Sequence, residues 1–316
     1  MDNNIWEDSD NVISDKALRV FSNFGTSGYL TNNTHYRFGL NGGVRLYSAH
    51  SQENRLISTF TSNISRKLPY NIVLGINGLL FYDKYKEGIR DNNSYLGEGF
   101  VNIPKGITDI CDIDVYYQYF RTEYEKYNSF DFSESRYLLS FRRNINSRTI
   151  LSIFTRLGTR NYKRKAFQKK ENDSIDYKNE VQHDLSGEIG LNLQYFRKFL
   201  IQALLLHRNN NSNSYGFSFT EKKFSIIFGR KIFNDYMLKL YFDIESKRYK
   251  DHGEFFIVID INEDKEQDNR GIIEISKDIS ENIAFEIRLE WCKNESRIRK
   301  LYYTKFLLSS GLLYKF

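Results

Sequence analysis

The sequence contains very little proline and cysteine. Two of its 316 residues are proline and two are cysteine, against 23 tyrosines, 25 phenylalanines and 19 glycines. Proline cannot donate to a β-ladder and aromatic side chains favour pleated surfaces, so this composition predicts long, uninterrupted strands. The two cysteines, Cys111 and Cys292, are far apart and lack a CxxC or Cys/His pattern, which predicts no metal site. A disulfide between them is compatible with the sequence, and two unpaired thiols are the simpler interpretation.

Long apolar runs are also missing. The longest, residues 199–206, has the length of a strand, whereas a membrane-spanning helix needs about 20 apolar residues. Mean hydropathy is -0.57. A membrane barrel needs only one apolar side of each strand, so this value excludes neither a water-soluble protein nor a membrane barrel. Residues 1–10 have neither the basic nor the apolar segment of a signal peptide. A barrel hypothesis therefore expects that a signal peptide was removed or that the barrel was excised from a longer chain.

Two-residue alternation is the dominant pattern that the sequence does contain. Within residues 301–316, apolar and aromatic side chains recur at every second position, namely Phe306, Leu308, Leu312, Tyr314 and Phe316. Successive side chains of a strand point to opposite faces, so the segment predicts a strand with one apolar and one mixed face. Similar alternation predicts further strands, for fourteen in all, at about 34–48, 55–65, 71–85, 95–104, 110–126, 133–144, 149–166, 181–196, 199–209, 214–230, 236–250, 269–278 and 282–294. The phase of 214–230 slips near Glu221 and Lys223, which predicts a bulge.

The connections between these strands alternate in length. Short links lie near residues 66–70, 104–108, 144–147, 197–198, 232–235 and 278–281, and longer polar stretches occupy 86–94, 167–178, 209–214, 251–269 and 293–300. This alternation predicts hairpins whose short turns all lie on the side where the chain ends. Residues 255–261 are apolar, and a fifteenth strand, a hairpin extension and a lid are all compatible with them.

The terminal segment resembles the closing strand of Gram-negative outer-membrane β-barrels, which ends in a free aromatic residue preceded by apolar residues at alternate positions. This resemblance implies an all-β, up-and-down antiparallel transmembrane barrel of about 14 strands, with 12 to 16 compatible, over residues 34–316. Residues 1–33 would then be a leader, a periplasmic tail or a plug segment. It also implies an outer-membrane location, contact with the lipid bilayer and lipopolysaccharide, and insertion by the barrel assembly machinery. The insertion signature is Leu308, Leu312, Tyr314 and Phe316.

Charged side chains follow the opposite phase on many of these strands. The predicted lumen-facing residues are Arg37, Arg45, Asp112, Asp114, Arg136, Arg142, Arg156, Arg160, Glu188, Arg208, Glu286, Arg288 and Glu290. One interpretation is an electropositive lumen that attracts anions. The other, which we favour, is an arginine–carboxylate ladder that neutralises and fills the interior, as small barrels do.

Catalytic and metal-binding patterns are weak. Among the five histidines only His183 has a suggestive neighbour, Ser186, but residues three apart on a strand point to opposite faces and cannot act as base and nucleophile. The acid pairs Asp112/Asp114 and Glu286/Glu290 share a face, and pairing with arginine explains them better than acid–base catalysis does. We therefore predict no enzyme, no cofactor and no metal.

The function that follows is a channel, porin or export conduit for small or anionic polymeric solutes. Its size and strand count are loosely similar to the fourteen-stranded barrels of surface-lipoprotein assembly and polysaccharide export systems. The alternative is a non-conducting barrel that anchors a surface or periplasmic protein complex through its acidic first residues or residues 251–269. A soluble all-β binding protein is the third hypothesis, and rows of aromatics on so many strands argue against it. The net charge of +6 does not choose among partners, and we predict no nucleic-acid binding.

Overall fold

In the computed structural model of the chain, the residues described are 14–86, 91–108, 110–171, 174–233, 235–251, 267–295 and 303–314. They form fifteen strands: β1 Ala17–Thr31, β2 Thr34–Tyr47, β3 Arg55–Lys67, β4 Val73–Tyr85, β5 Asn92–Ile103, β6 Asp112–Tyr124, β7 Phe132–Asn146, β8 Thr149–Lys169, β9 Ile175–Phe196, β10 Phe199–Ser212, β11 Phe219–Ile232, β12 Tyr236–Tyr249, β13 Gln267–Asp278, β14 Ile283–Glu295 and β15 Tyr303–Tyr314. Short helices occupy Ser51–Glu53, Pro69–Asn71, Lys105–Thr108 and Asn128–Phe130. None of the helices in these ranges is long and apolar enough to cross a membrane.

All fifteen strands belong to one antiparallel sheet in which each strand pairs with its neighbours in sequence. The prediction of an all-β fold with up-and-down antiparallel topology is thereby confirmed. The fourteen predicted strands correspond to β2–β15, with ends that differ by a few residues. Among the described residues, no pairing joins β1 to β15.

The additional strand, β1, corrects the predicted boundary at residue 34. It pairs with β2 from Ala17↔Tyr47 to Thr31↔Thr34, so residues 17–31 belong to the sheet and the boundary falls in the first hairpin turn. From the sequence alone, residues 16–24 are compatible with a short strand as well as with a plug segment. Pairing with β2 satisfies the backbone N–H and C=O groups of β1 whatever the pattern of its side chains.

The connections lie on two edges of the sheet. One, here called the turn edge, carries the links at 32–33, 68–72, 104–111, 147–148, 197–198, 233–235 and 279–282, and the last described residue of β15 lies there. The other, the loop edge, carries the links at 48–54, 86–91, 125–131, 170–174, 213–218, 250–266 and 296–302. Within these links, residues 87–90, 172–173, 252–266 and 296–302 lie outside the described residues, and 252–266 includes the apolar stretch 255–261.

Two predicted irregularities are wrong. β11 keeps a continuous register from Phe219 to Arg230 with β10 and from Phe219 to Ile232 with β12, so there is no bulge at Glu221–Lys223. The predicted long loop at 167–178 is mostly strand, because β8 and β9 are 21 and 22 residues long and leave only 170–174 between them. Register shifts occur instead in β8, between Asn161, Lys165 and Phe167, and beside two hairpin turns, at Tyr29/Thr31 and Asn144/Asn146.

The distribution of polarity is the reverse of that in a water-soluble protein. The buried side chains in the described ranges are mostly polar or charged, whereas many leucine, isoleucine and phenylalanine side chains are exposed. Exposed apolar residues recur at alternate positions on consecutive strands, for example Leu185, Ile189, Leu191 and Leu193 on β9. A continuous apolar surface of this size requires a nonpolar surrounding medium, since a water-soluble monomer rarely exposes more than a few hundred Å² of such surface.

Candidate functional site

The polar side of the sheet is the candidate functional site, here called the inner face. It is concave, because a pocket of about 540 Å³ on this side is lined by residues of five consecutive strands, β5 to β9. The strand registers place on it every predicted lumen residue: Arg37, Arg45, Asp112, Asp114, Arg136, Arg142, Arg156, Arg160, Glu188, Arg208, Glu286, Arg288 and Glu290.

Many inner-face arginines pair with carboxylates on the same or an adjacent strand. Arg142 Nε lies 3.3 Å from Asp112 Oδ2, and Arg156 Nη1 lies 2.7 Å from Glu188 Oε1. Other pairs are Arg208–Glu221, Arg270–Glu290, Arg288–Glu290 and Lys239–Glu274. Most of the inner face therefore has the arginine–carboxylate ladder that the sequence favoured.

The most buried of these carboxylates is Glu134 on β7, whose side chain is 1 % exposed. It accepts hydrogen bonds from Arg136 Nε at 2.7 Å and Nη2 at 2.6 Å, and from Arg160 Nε at 3.1 Å and Nη2 at 3.0 Å. Arg160 also stacks over the ring of Phe132, with Cζ 4.4 Å from the ring centroid. Because one carboxylate holds two guanidinium groups, this cluster fixes β7 to β8.

An arginine row interrupts the ladder on the first three strands. Arg19, Arg45 and Arg55 are direct cross-strand neighbours on β1, β2 and β3. Arg55 pairs with Asp83 at 3.2 Å, and Arg45 Nη1 donates to the Tyr47 hydroxyl at 3.5 Å. The Nε atom of Arg45 is buried without a hydrogen-bond partner in the described part of the chain. Like charges directly opposite each other destabilise a sheet, so this row favours an anion nearby.

A chain of amide and carboxylate side chains crosses the same face in the middle of β3–β6. Asn63 donates to Asn77, Asn77 donates to Glu98, and Gln118 donates to the other oxygen of Glu98. Sequence reasoning followed charges and missed these residues. The available signal was the uncharged amide at the inner-face position of each strand.

At the loop edge, the end of β8 stays paired with β9 and contacts the loop at 213–218. The Phe167 amide donates to Ser214 Oγ at 2.9 Å, and the Phe167 ring stacks on Phe217 at 6.1 Å. Arg164 Nε donates to Gln182 Oε1 at 2.7 Å, and Gln182 Nε2 in turn donates to Asp184 Oδ1 at 3.2 Å. This group, called the cap cluster, is the most deeply buried part of the described structure. Within it, Arg164 is 6 % exposed.

The structure keeps the suspected catalytic residues apart. His183 and Ser186 lie on opposite faces of β9, as expected from their spacing. Asp112 and Asp114 share the inner face, but Asp112 pairs with Arg142 and Asp114 accepts from Asn102 Nδ2. No group of histidine, cysteine, aspartate or glutamate suited to a metal ion occurs in the described ranges. Cys111 and Cys292 are not joined in a disulfide. The absence of enzyme activity stays a prediction.

The last strand exposes its apolar side. Leu308, Leu312 and Tyr314 are 54 %, 70 % and 57 % exposed and lie on the outer face, and Phe316 lies outside the described residues. On the neighbouring strand β14, Leu289 pairs with Leu308 and Phe285 pairs with Leu312. The outer face of β14–β15 is therefore a continuous apolar surface.

Comparisons with known proteins give a fold likeness without sequence similarity. No protein-family model matches the chain, and no curated protein is similar to it in sequence. CdiB from Acinetobacter baumannii matches with a TM-score of 0.55 and 10 % identity, over 94 % of this chain and 60 % of that chain. The chain thus spans about 60 % of the length of CdiB. OmpT of Vibrio cholerae has a TM-score of 0.43 and 6 % identity over 94 % of this chain and 95 % of that chain. The anion-selective porin from Comamonas acidovorans has a TM-score of 0.40 and 10 % identity over 95 % of this chain and 100 % of that chain.

The likeness to CdiB and the apolar outer face agree with each other. Together they define the class: the chain has the fold of a β-barrel of the outer-membrane type. The predicted fold class and outer-membrane location are confirmed at this level.

Proposed function

We propose that the barrel is a channel or export conduit for small or anionic polymeric solutes, with a preference for anions set by the arginine row. The observation that carries this proposal is the register of Arg19, Arg45 and Arg55, which sets three guanidinium groups side by side on the inner face. Strands are about 4.8 Å apart, so the row extends over roughly 10 Å of the wall. Positive side chains lining a pore select for anions.

The remaining inner face supports this proposal because its ion pairs are locally balanced. Arg142 with Asp112 and Arg156 with Glu188 leave little net field on β6–β9. Arg55 of the arginine row pairs with Asp83, and Arg19 and Arg45 place two further guanidinium groups on the same part of the inner face. Anions would therefore be drawn to the β1–β3 side of the interior.

The test is the reversal potential of the purified protein in a planar bilayer under a KCl gradient. We expect the unmodified barrel to favour chloride, and Arg45→Gln to move the reversal potential toward zero. Arg143→Gln is the matched control, because Arg143 precedes the turn edge on the outer face and its loss removes the same charge. Cation preference, or equal shifts for both variants, would overturn the anion proposal.

A non-conducting anchor for a surface or periplasmic protein complex is the second candidate. The cap cluster favours it, since Phe167, Arg164 and Gln182 form a buried group at the loop edge. A protein that inserts into the bilayer but gives no steady current would support this candidate. Opening of a current on Phe167→Ala would instead identify the cap cluster as a constriction of a channel.

A further inference from the structure

We infer that the pocket on β5–β9 is a binding site for one sugar unit of a saccharide, centred on the ring of Phe154. The inference rests on the proposed function in one respect, since it names a substrate class for the same interior. It comes from three features of the pocket: its composition, an aromatic platform and two buried polar atoms that lack partners.

The composition suits a hydroxylated ligand rather than a strongly charged one. The pocket encloses about 540 Å³, and its walls combine amides, hydroxyls, carboxylates and guanidinium groups with the rings of Tyr116 and Phe154. The amides are Gln118, Asn144, Asn192 and Gln194. Arginine and carboxylate side chains occur together there, so the pocket offers both donors and acceptors. Sugar hydroxyls require both.

Phe154 provides a flat apolar surface among these groups. It pairs directly with Gly190 across β8 and β9, and a Cβ atom at Gly190 would lie 2.2 Å from Phe154 Cζ. The ring is therefore held over the glycine backbone on one side and lines the pocket on the other. The apolar face of a sugar ring packs against such a surface as other apolar groups do.

Hydrogen-bonding groups border this ring on both sides along the strand. The cross-strand pair Ser152–Asn192 lies on the turn-edge side of the Phe154–Gly190 pair, and the pair Arg156–Glu188 lies on its loop-edge side. Each of these two pairs is two residues along the strands from the Phe154–Gly190 pair, a distance of about 7 Å. Ser140 lies opposite Phe154 on β7, with Arg142 beside it. A pyranose on the ring would have its hydroxyls directed toward these side chains.

Two of the bordering atoms are buried without a hydrogen-bond partner in the described ranges. They are the acceptor Asn192 Oδ1 and the donor Arg156 Nε. Burial of an unpaired polar atom is costly, and a hydroxyl can serve either atom because it both donates and accepts. The phenylalanine-on-glycine pairing recurs on the inner face at Phe21/Gly43 and Phe100/Gly75. In the described ranges, Phe21/Gly43 has only a donor of this kind beside it, Arg45 Nε, and Phe100/Gly75 has neither, so the unpartnered acceptor of Asn192 distinguishes the Phe154 site.

The test is calorimetric titration of the folded full-length chain in an amine-oxide detergent, which has no sugar head group. The probes are maltotriose, cellotriose, chitotriose and trigalacturonate, with a polyethylene glycol of similar mass as the size control. We expect at least one trisaccharide to bind and polyethylene glycol not to bind. Phe154→Ala should weaken binding about tenfold, as expected for loss of an aromatic contact. Phe21→Ala, which removes the matched pair outside the pocket, should leave binding unchanged.

A second variant separates ligand binding from structural support. Asn192→Leu removes the unpartnered acceptor, so it should weaken binding while leaving the urea midpoint unchanged or raised. Gly190→Ala should also weaken binding, because it displaces the ring. The inference is overturned if no trisaccharide binds, or if Phe154→Ala and Phe21→Ala bind equally well. Binding in detergent does not depend on conductance, so saccharide binding without current would refute the channel alone, and current without binding would refute the sugar site alone.

Discussion

Removal of the Glu134 carboxylate should destabilise the barrel more than any other single charge change on β7. Glu134→Gln keeps the shape of the side chain but leaves Arg136 and Arg160 without their anion. Four hydrogen bonds at 2.6 to 3.1 Å link the carboxylate to the two guanidinium groups, which are 26 % and 21 % exposed. Breaking a buried pair by removing one partner costs about 3 to 5 kcal/mol.

The lower end of this range applies here. Both arginines keep some contact with water, and Arg160 retains the rings of Phe132 and Tyr162, with Cζ 4.4 and 5.9 Å from their centroids. We therefore expect a loss of about 3 kcal/mol, most of it from Arg136. Equilibrium unfolding by urea in phospholipid vesicles, followed by far-ultraviolet circular dichroism, measures this loss.

A matched control is available on the outer face. Glu123 pairs with Arg121, and their side chains are 32 % and 48 % exposed. Glu123→Gln should cost less than about 1 kcal/mol, because exposed pairs contribute little. A loss below about 1 kcal/mol for Glu134→Gln, or equal losses for the two variants, would refute the assignment of Glu134 as the centre of a buried cluster.

Three further predictions concern the ends and surfaces of the sheet. Leu308→Lys should cost about 2 to 4 kcal/mol in the same vesicles because Leu308 faces outward, whereas Ser309→Lys on the inner face should cost much less, and equal costs would contradict the assigned faces. Burial raises the pKa of Asp15, but hydrogen bonds from Ser48, Ala49, Lys16 and His50 outweigh it and hold this pKa below its usual value. A lowered pKa contributes stability that is fully present above the unfolded value and is lost only as pH falls through the folded one. Protection of the Ala49 and His50 amides from hydrogen exchange should therefore decline progressively as pH falls below about 3.8, and it should be weaker at neutral pH in Asp15→Asn. Phe167→Ala should open the cap cluster to proteolysis within β8–β9 while the turn edge stays resistant, and unchanged cleavage would show that Phe167 does not hold it.

Much of the fold was available from the sequence because a strand records its two faces at every second residue. Glu286, Arg288 and Glu290 alternate with Ile287 and Leu289, and the structure places the two groups on opposite faces of β14. The same rule placed the thirteen other predicted strands of the sheet. It failed for β1, where Phe21 and Phe24 interrupt the alternation, and for the end of β8, where two register shifts break it.

Relations between strands were not available, because alternation fixes a face but not a register. Nothing in the local sequence sets Arg19, Arg45 and Arg55 side by side, or stacks Phe154 on Gly190. Glu134 looks like any other strand glutamate until β8 brings Arg160 against it. The sequence by itself therefore determined which side chains lie inside and which outside. Cross-strand pairing decided which of the inner side chains meet, because two residues far apart in the chain become neighbours only when the sheet is assembled.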